Sequence, residues 1–384
     1  MESSKALYKS FIKLAVGLCM ANGKTLKQAK TNVDQLFKDH PYFDILSVYI
    51  NRSKKSKKTL TQLLNNCVLI CEEFGPNREY LTLVDLLKKL QRKSRSIDKN
   101  NNLVVKHFEE EIERINGYVP SPPLYNKMLE SRSLIEWSSM IYLYPFIPKR
   151  EKGNNKPVLL IPPYLGNDKS TSFMRRYLNS LGFKPYKWAL TVKYIRSSYI
   201  PILEETLDKI HEKHEEKVSL IGWSGGGIFA KILANRHPNK VEQIITVGSP
   251  IWGVMDLKTS INGVFDFLRG NSLKERNKRF LNELENVPDV PITCIYTKTD
   301  GVIPWKHCVE AETYRKDINN IEVFGSHSGL GANASVLLSV AKSLNANIKG
   351  KKVEVISNKY ESLFYPKFWK QKGTYKIMNL FLKP

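Results

Sequence analysis

Ser224 stands in Gly222-Trp223-Ser224-Gly225-Gly226, between a candidate strand at 218–221 and a helical stretch at 226–236. A serine on a tight strand-to-helix turn takes a strained backbone conformation that lifts its hydroxyl clear of the sheet. The flanking glycines fit a place where a Cβ would meet the neighbouring strand and helix. The helix N-terminus and the Gly225 amide would then face an oxyanion forming beside Ser224. The turn lacks the Gly-Lys-Ser/Thr and G-x-G-x-x-G frames of phosphate-binding loops.

A serine hydroxyl is a poor nucleophile at neutral pH and needs an imidazole base, which in turn needs a carboxylate to fix its tautomer. In sheets with such a turn the order along the chain is serine, acid, histidine. After Ser224 only His237, His307 and His327 remain. His237 ends the helix that starts at the serine and points away. His307 follows the best acid by only seven residues and is expected to start a helix. His327, in the small-residue loop Gly325-Ser326-His327-Ser328-Gly329, is the expected base. Asp300, in a Gly turn after the strand at 292–296, is the expected acid, with Asp256 after the previous strand as its rival. The second oxyanion donor should come from the loop Pro162-Pro163-Tyr164-Leu165-Gly166. Prolines carry no N–H, so Tyr164 offers the first amide and Leu165 the next.

These groups require a sheet to hold them. The short, fully apolar run at 158–161 reads as a buried parallel strand, and 218–221 as a second, with further strands at 241–247, 292–296 and 321–324. Helical stretches at 171–181, 203–214 and 226–236 alternate with them, as in a parallel sheet with helices on both faces.

Four of these segments together resemble the bacterial lipase/esterase branch of the α/β-hydrolase superfamily: 158–166, 222–226, 299–305 and 325–330. Gly248-Ser249-Pro250 resembles it too, and the resemblance spans roughly residues 155–345. It implies a mostly parallel sheet flanked by helices and acyl transfer from an ester to water through a Ser224 acyl-enzyme. Pro162-Pro163 stands where that family usually has Pro-Gly or His-Gly. The expected function is hydrolysis of carboxylic esters of lipid or other apolar acyl compounds, with no cofactor and no metal. An acyltransferase with the same three residues, and an idle fold serving as a binding or membrane-associated module, are the alternatives. Residues 253–291 lack a clear strand and read as a lid over an acyl site, or as a helical surface excursion. Tyr164, Trp223, Trp252 and Trp305 are expected near the site.

Residues 1–150 fall outside the resemblance and form a helical N-terminal region, followed at 149–155 by a charged, Gly/Asn-rich connector and then the hydrolase domain at 151–384. Helical spacing dominates there: 59–74 ends at Gly75-Pro76, 83–90 takes Thr82 as a candidate cap, and 104–115 carries a further apolar face. Leu7, Phe11, Leu14, Ala15 and Leu18 read as one face of a buried helix, against a signal-peptide reading of the same lysine-flanked stretch.

The chain of 384 residues carries a net charge of +23, split as +11 over residues 1–156 and +12 over the rest. An even spread, mostly lysine, does not form a nucleic-acid arm. Five cysteines without zinc spacing point to a reducing, cytoplasmic compartment. The lysine- and aromatic-rich residues 360–384 suit either packing on the body or peripheral contact with an anionic membrane. Oligomeric state is left open.

Overall fold

The structure is a computed structural model, describing residues 2–38, 43–77, 79–92, 99–116, 119, 121–188, 199–254, 283–311, 317–348 and 353–365. The chain forms two compact units. The first comprises Met1–Pro120, Trp252–Lys258 and Val309–Ile318, and the second Ser121–Ile251, Thr259–Cys308 and Asn319–Pro384. The division between them falls at 120/121, so residues 121–150 group with the sheet and not with the N-terminal helices.

The first unit is built from α1 (Glu2–Ala21), α2 (Leu26–Phe37), α3 (Phe43–Arg52), α4 (Leu60–Phe74), α5 (Glu79–Arg92) and α6 (Lys99–Asn116). Leu7, Phe11, Leu14, Ala15 and Leu18 of α1 are buried in a core shared with Phe37, Leu63, Cys67, Leu87 and Phe108. Capping boxes start α2 at Thr25/Gln28 and α4 at Thr59/Gln62, each giving two first-turn amides a partner. Thr82 is not a cap: the helix starts three residues earlier, and Thr82 lies buried inside α5. Burial pushes the Cys67 thiol up to about 12, which keeps it an apolar core group.

The second unit contains α7 (Leu124–Met128), a 3-10 turn (Leu129–Arg132), α8 (Ser133–Leu143), β1 (Pro157–Ile161), α9 (Ser172–Ser180), β2 (Lys184–Lys187), α10 (Ile200–His214), β3 (Val218–Trp223), α11 (Gly225–Arg236), β4 (Val241–Val247), β5 (Ile292–Tyr296), β6 (Ile318–Glu322) and α12 (Ala334–Ile348). The strands lie side by side in the order β2-β1-β3-β4-β5-β6. The pairs β1–β2, β1–β3, β3–β4 and β4–β5 are all parallel. β1 and β3 are buried along their whole length, which is why β1 reads as an unbroken apolar run and β3 as one broken only by Ser219. Alternation sends Leu160, Ile221, Ile245 and Ile295 into a core with Met174 and Leu178 of α9 and Leu337 and Ala341 of α12. Packed against the sheet, α10 contacts β1 and β3, and α11 contacts β1, β3 and β4.

Two strands differ from expectation. β2 has the sequence Lys-Pro-Tyr-Lys with no fully buried residue, so an edge strand hides behind a polar pattern. The last strand runs Ile318–Glu322, three residues earlier than the apolar pattern indicates, because Ile318 and Asn319 are buried as well as Ile321. Residues 255–282 of the expected lid, and 366–384 of the basic aromatic tail, lie outside the described residues. The start of that tail packs on the body. Tyr365 is buried and donates to Ser335 O at 3.1 Å, and Tyr360 Oη donates to Phe146 O at 2.7 Å. No helix among the described residues is long and apolar enough to cross a membrane.

Candidate active site

The chain leaves β1 for β2 on one side and returns with β3 on the other, so the connections diverge between β1 and β3. Such a switch point opens a crevice at the carboxyl ends of the strands. The loop after β1 and the turn after β3 both end there.

Ser224 follows β3 directly and precedes α11, with φ 53° and ψ −123°. Its N–H is fixed on Val247 O at 2.8 Å, and its carbonyl accepts Gly227 N–H at 3.0 Å. The turn closes because Gly222 and Gly226 lack side chains. A Cβ on Gly222 would lie 2.4 Å from the Gly226–Gly227 backbone, and one on Gly226 2.3 Å from Ile161 O. The positive φ at a serine is strain held in place by these contacts.

Ser224 Oγ lies 2.9 Å from His327 Nε2, and His327 Nδ1 lies 2.7 Å from Asp300 Oδ2. All three side chains are buried. With its proton on Nδ1, His327 donates to Asp300 and presents Nε2 to the serine hydroxyl. The other Asp300 oxygen accepts the N–H groups of Val302 and Ile303 at 2.8 and 2.7 Å, which fixes the orientation of the carboxylate toward the ring. Burial pulls the His327 pKa down. The charge and hydrogen bond of Asp300, with the charge of Glu130 behind them, outweigh burial and hold it above the ordinary value.

Of the rejected histidines, His237 ends α11 with Nε2 3.1 Å from Glu204, and His307 sits buried in the 3-10 turn Trp305–Cys308. The rival acid Asp256 lies outside the described residues. Gly225 is the first residue of α11, in the turn whose amides have no intrahelical acceptor. Tyr164 and Gly225 line one cavity of about 310 Å³ together with Ser224 and His327. Leu165, Trp223, Ile228 and Ile303 make much of the remaining wall apolar. Of the four aromatics expected here, Tyr164 and Trp223 line the cavity. Trp305 instead stacks on Tyr296 with ring centroids 5.4 Å apart, and Trp252 groups with the first unit.

Sequence reasoning overlooks a second set of residues, all from 124–143. Glu130 Oε1 accepts the N–H groups of Gly301 and His327, each at 2.9 Å, and Oε2 accepts that of Ser328 at 3.2 Å. Glu136 accepts both the N–H, at 2.9 Å, and the hydroxyl of Ser326. Arg132 pairs with Glu136 at 3.2 Å and donates to Thr299 O at 3.2 Å and Oγ1 at 2.8 Å. Asn126 Nδ2 donates to the Lys298 and Asp300 carbonyls at 3.1 and 3.3 Å, and Trp137 Nε1 to Ser328 O at 2.9 Å. The acid and histidine loops are thus gripped by one short helical segment.

A parallel sheet with the strained serine turn at its switch point is the arrangement of the α/β-hydrolase fold, and the second unit has that fold. The family model of the PGAP1-like alpha/beta domain matches residues 186–318, which include Ser224 and Asp300 and stop before His327. Similar solved structures include a monoacylglycerol lipase from Paleococcus ferrophilus, 16% identical, covering 45% of this chain and 88% of that one with a TM-score of 0.34. The monoglyceride lipase of Saccharomyces cerevisiae is 15% identical over 47% of this chain and 80% of its own, with a TM-score of 0.35. Lipase B of Aspergillus fumigatus is 14% identical over 58% and 60%, with a TM-score of 0.39. No curated protein sequence matches the chain.

Proposed function

We infer that the chain is a serine hydrolase that cleaves carboxylic esters of lipid or other apolar acyl substrates. The observation that supports this most is the continuous hydrogen-bonded line from Ser224 Oγ through His327 to Asp300, opening on a largely apolar cavity.

In this reading Ser224 Oγ attacks the ester carbonyl carbon while His327 Nε2 takes its proton. The carbonyl oxygen becomes an oxyanion held by the Gly225 amide and the Tyr164 amide. The carbon–oxygen bond to the alcohol breaks, and His327 returns the proton to the departing alkoxide. Water then attacks the Ser224 acyl ester with His327 again as base, releasing the acid and restoring the serine. Asp300 keeps the Nδ1 tautomer and stabilises the imidazolium. The apolar walls give the acyl chain a surface to bury, worth roughly 25 cal/mol per Å².

A fluorophosphonate probe tests this directly. It reacts with an activated serine and not with an ordinary one, so the expected result is a single adduct on the peptide containing Ser224. Absence of that adduct on the folded protein, or an adduct elsewhere, would overturn the reading.

A further inference from the structure

Glu130 does not itself line the cavity, yet its carboxylate meets both loops that carry the other two reacting groups. One oxygen accepts Gly301 N–H, next to Asp300, and the N–H of His327 itself. A staple of this kind fixes the separation of two loops whose side chains must meet within a fraction of an ångström.

The loops are shaped for the segment that brings it. A Cβ on Gly301 would lie 2.4 Å from Asn126 O, and one on Gly329 would lie 1.5 Å from Glu136 Oε2. Both loops therefore carry a glycine where 124–143 packs against them. Asn126 and Arg132 hold the acid loop from the same side, so the contact does not rest on one hydrogen bond.

We propose that Glu130 is a positioning residue for ester hydrolysis, locking the Asp300 and His327 loops in register and presenting a second carboxylate to the histidine. This rests on the serine-hydrolase reading above. The groups facing His327 are Asp300 on Nδ1, Ser224 on Nε2 and Glu130 on the backbone N–H. Next out, Glu136 on the adjoining Ser326 is paired with Arg132. Two negative charges thus bear on the imidazole, consistent with its raised pKa.

Two substitutions separate geometry from charge. Glu130→Gln keeps the shape and one acceptor oxygen but loses the charge. Glu130→Ala removes the staple. Because Glu130 does not line the cavity, KM should stay within about twofold in both, while kcat falls several-fold in Glu130→Gln and on the order of 10²-fold in Glu130→Ala. The His327 titration, followed by NMR of the imidazole, should move to lower pH in Glu130→Gln. Glu130→Gln guards against Glu130→Ala failing to fold. An unchanged His327 midpoint in Glu130→Gln, or a folded Glu130→Ala with wild-type kcat, would overturn the proposal. The titration does not use the reaction, so the two failures are distinct. A lowered midpoint in a protein whose Ser224 the fluorophosphonate does not label would sink the hydrolase reading, and with it any part for Glu130 in it.

Discussion

Glu136 occupies the space that a side chain at Gly329 would need, its Oε2 lying 1.5 Å from where a Cβ would sit. Glu136 cannot simply swing aside, because it is tied to Ser326 N–H and hydroxyl and paired with Arg132. Gly329→Ala should therefore break that network. The expected loss is about 1–3 kcal/mol of stability, seen as a lower midpoint in urea unfolding, together with reduced ester turnover. An alanine variant as stable and active as wild type would show that Glu136 relaxes without cost.

Ser224→Ala should lower turnover by on the order of 10⁴-fold or more, leaving only the contribution of binding and the oxyanion donors. Its melting temperature should change little beside that loss, since the variant keeps the backbone bonds of the turn to Val247 O and from Gly227 N–H. Steady-state kinetics with a chromogenic short-chain ester, alongside a thermal melt, read both. Wild-type-like hydrolysis by the purified variant would remove Ser224 from the chemistry.

The pH dependence follows from the sign of the histidine shift. His327 works as a base only when neutral, and its pKa lies above the ordinary value. The kcat/KM profile should accordingly rise with pH through a midpoint above about 6.5. Asp300→Asn removes the larger of the two carboxylate contributions, so the midpoint should move down while the plateau drops by about 10⁴-fold. In stability terms, the protonated form is the one the fold favours. That contribution is complete below the unfolded pKa and disappears as pH rises through the folded one. Asp256→Asn should leave the profile unchanged; the opposite ranking would move the acid to the earlier position.

Lys342 and Glu361 form a buried pair at 2.5 Å that ties the beginning of the C-terminal segment to α12. Burial pushes the Glu361 carboxyl up, but the Lys342 ammonium and the Ser357 amide outweigh it and hold the pKa below the ordinary range. Lys342→Met strands that carboxylate and should cost roughly 3–5 kcal/mol at neutral pH. In the wild type, the contribution is present above the unfolded carboxyl pKa and is lost as pH falls through the folded one. Denaturant unfolding of wild type and variant at neutral and acid pH measures both, and the gap should narrow in acid.

The parts of the site that obey a general rule are legible in the amino-acid sequence. The serine turn announces itself because its strain demands glycine on both sides, and β1, β3, β4 and β5 because burial on two faces enriches them in Val, Ile and Leu. β2 is hidden, since an edge strand need not be apolar. Glu130 and Glu136 are hidden for a different reason. The segment that carries them turns polar groups inward, toward the loops, and leaves Leu134, Ile135, Ile141 and Tyr142 exposed. Pattern reading assumes the reverse, with apolar residues toward the core. The charged connector at 149–155 marks the wrong side of that segment, because composition shows where the chain is polar and not where its contacts change.

That arrangement has a practical edge for anyone shortening the protein. A chain begun at residue 151 would keep Ser224, Asp300 and His327 in one piece, and by sequence it would pass for the whole catalytic module. It would also strip four amides, those of Gly301, Ser326, His327 and Ser328, of their carboxylate acceptors. The shortest fragment with every reacting group would thus be one whose reacting groups no longer know where to stand.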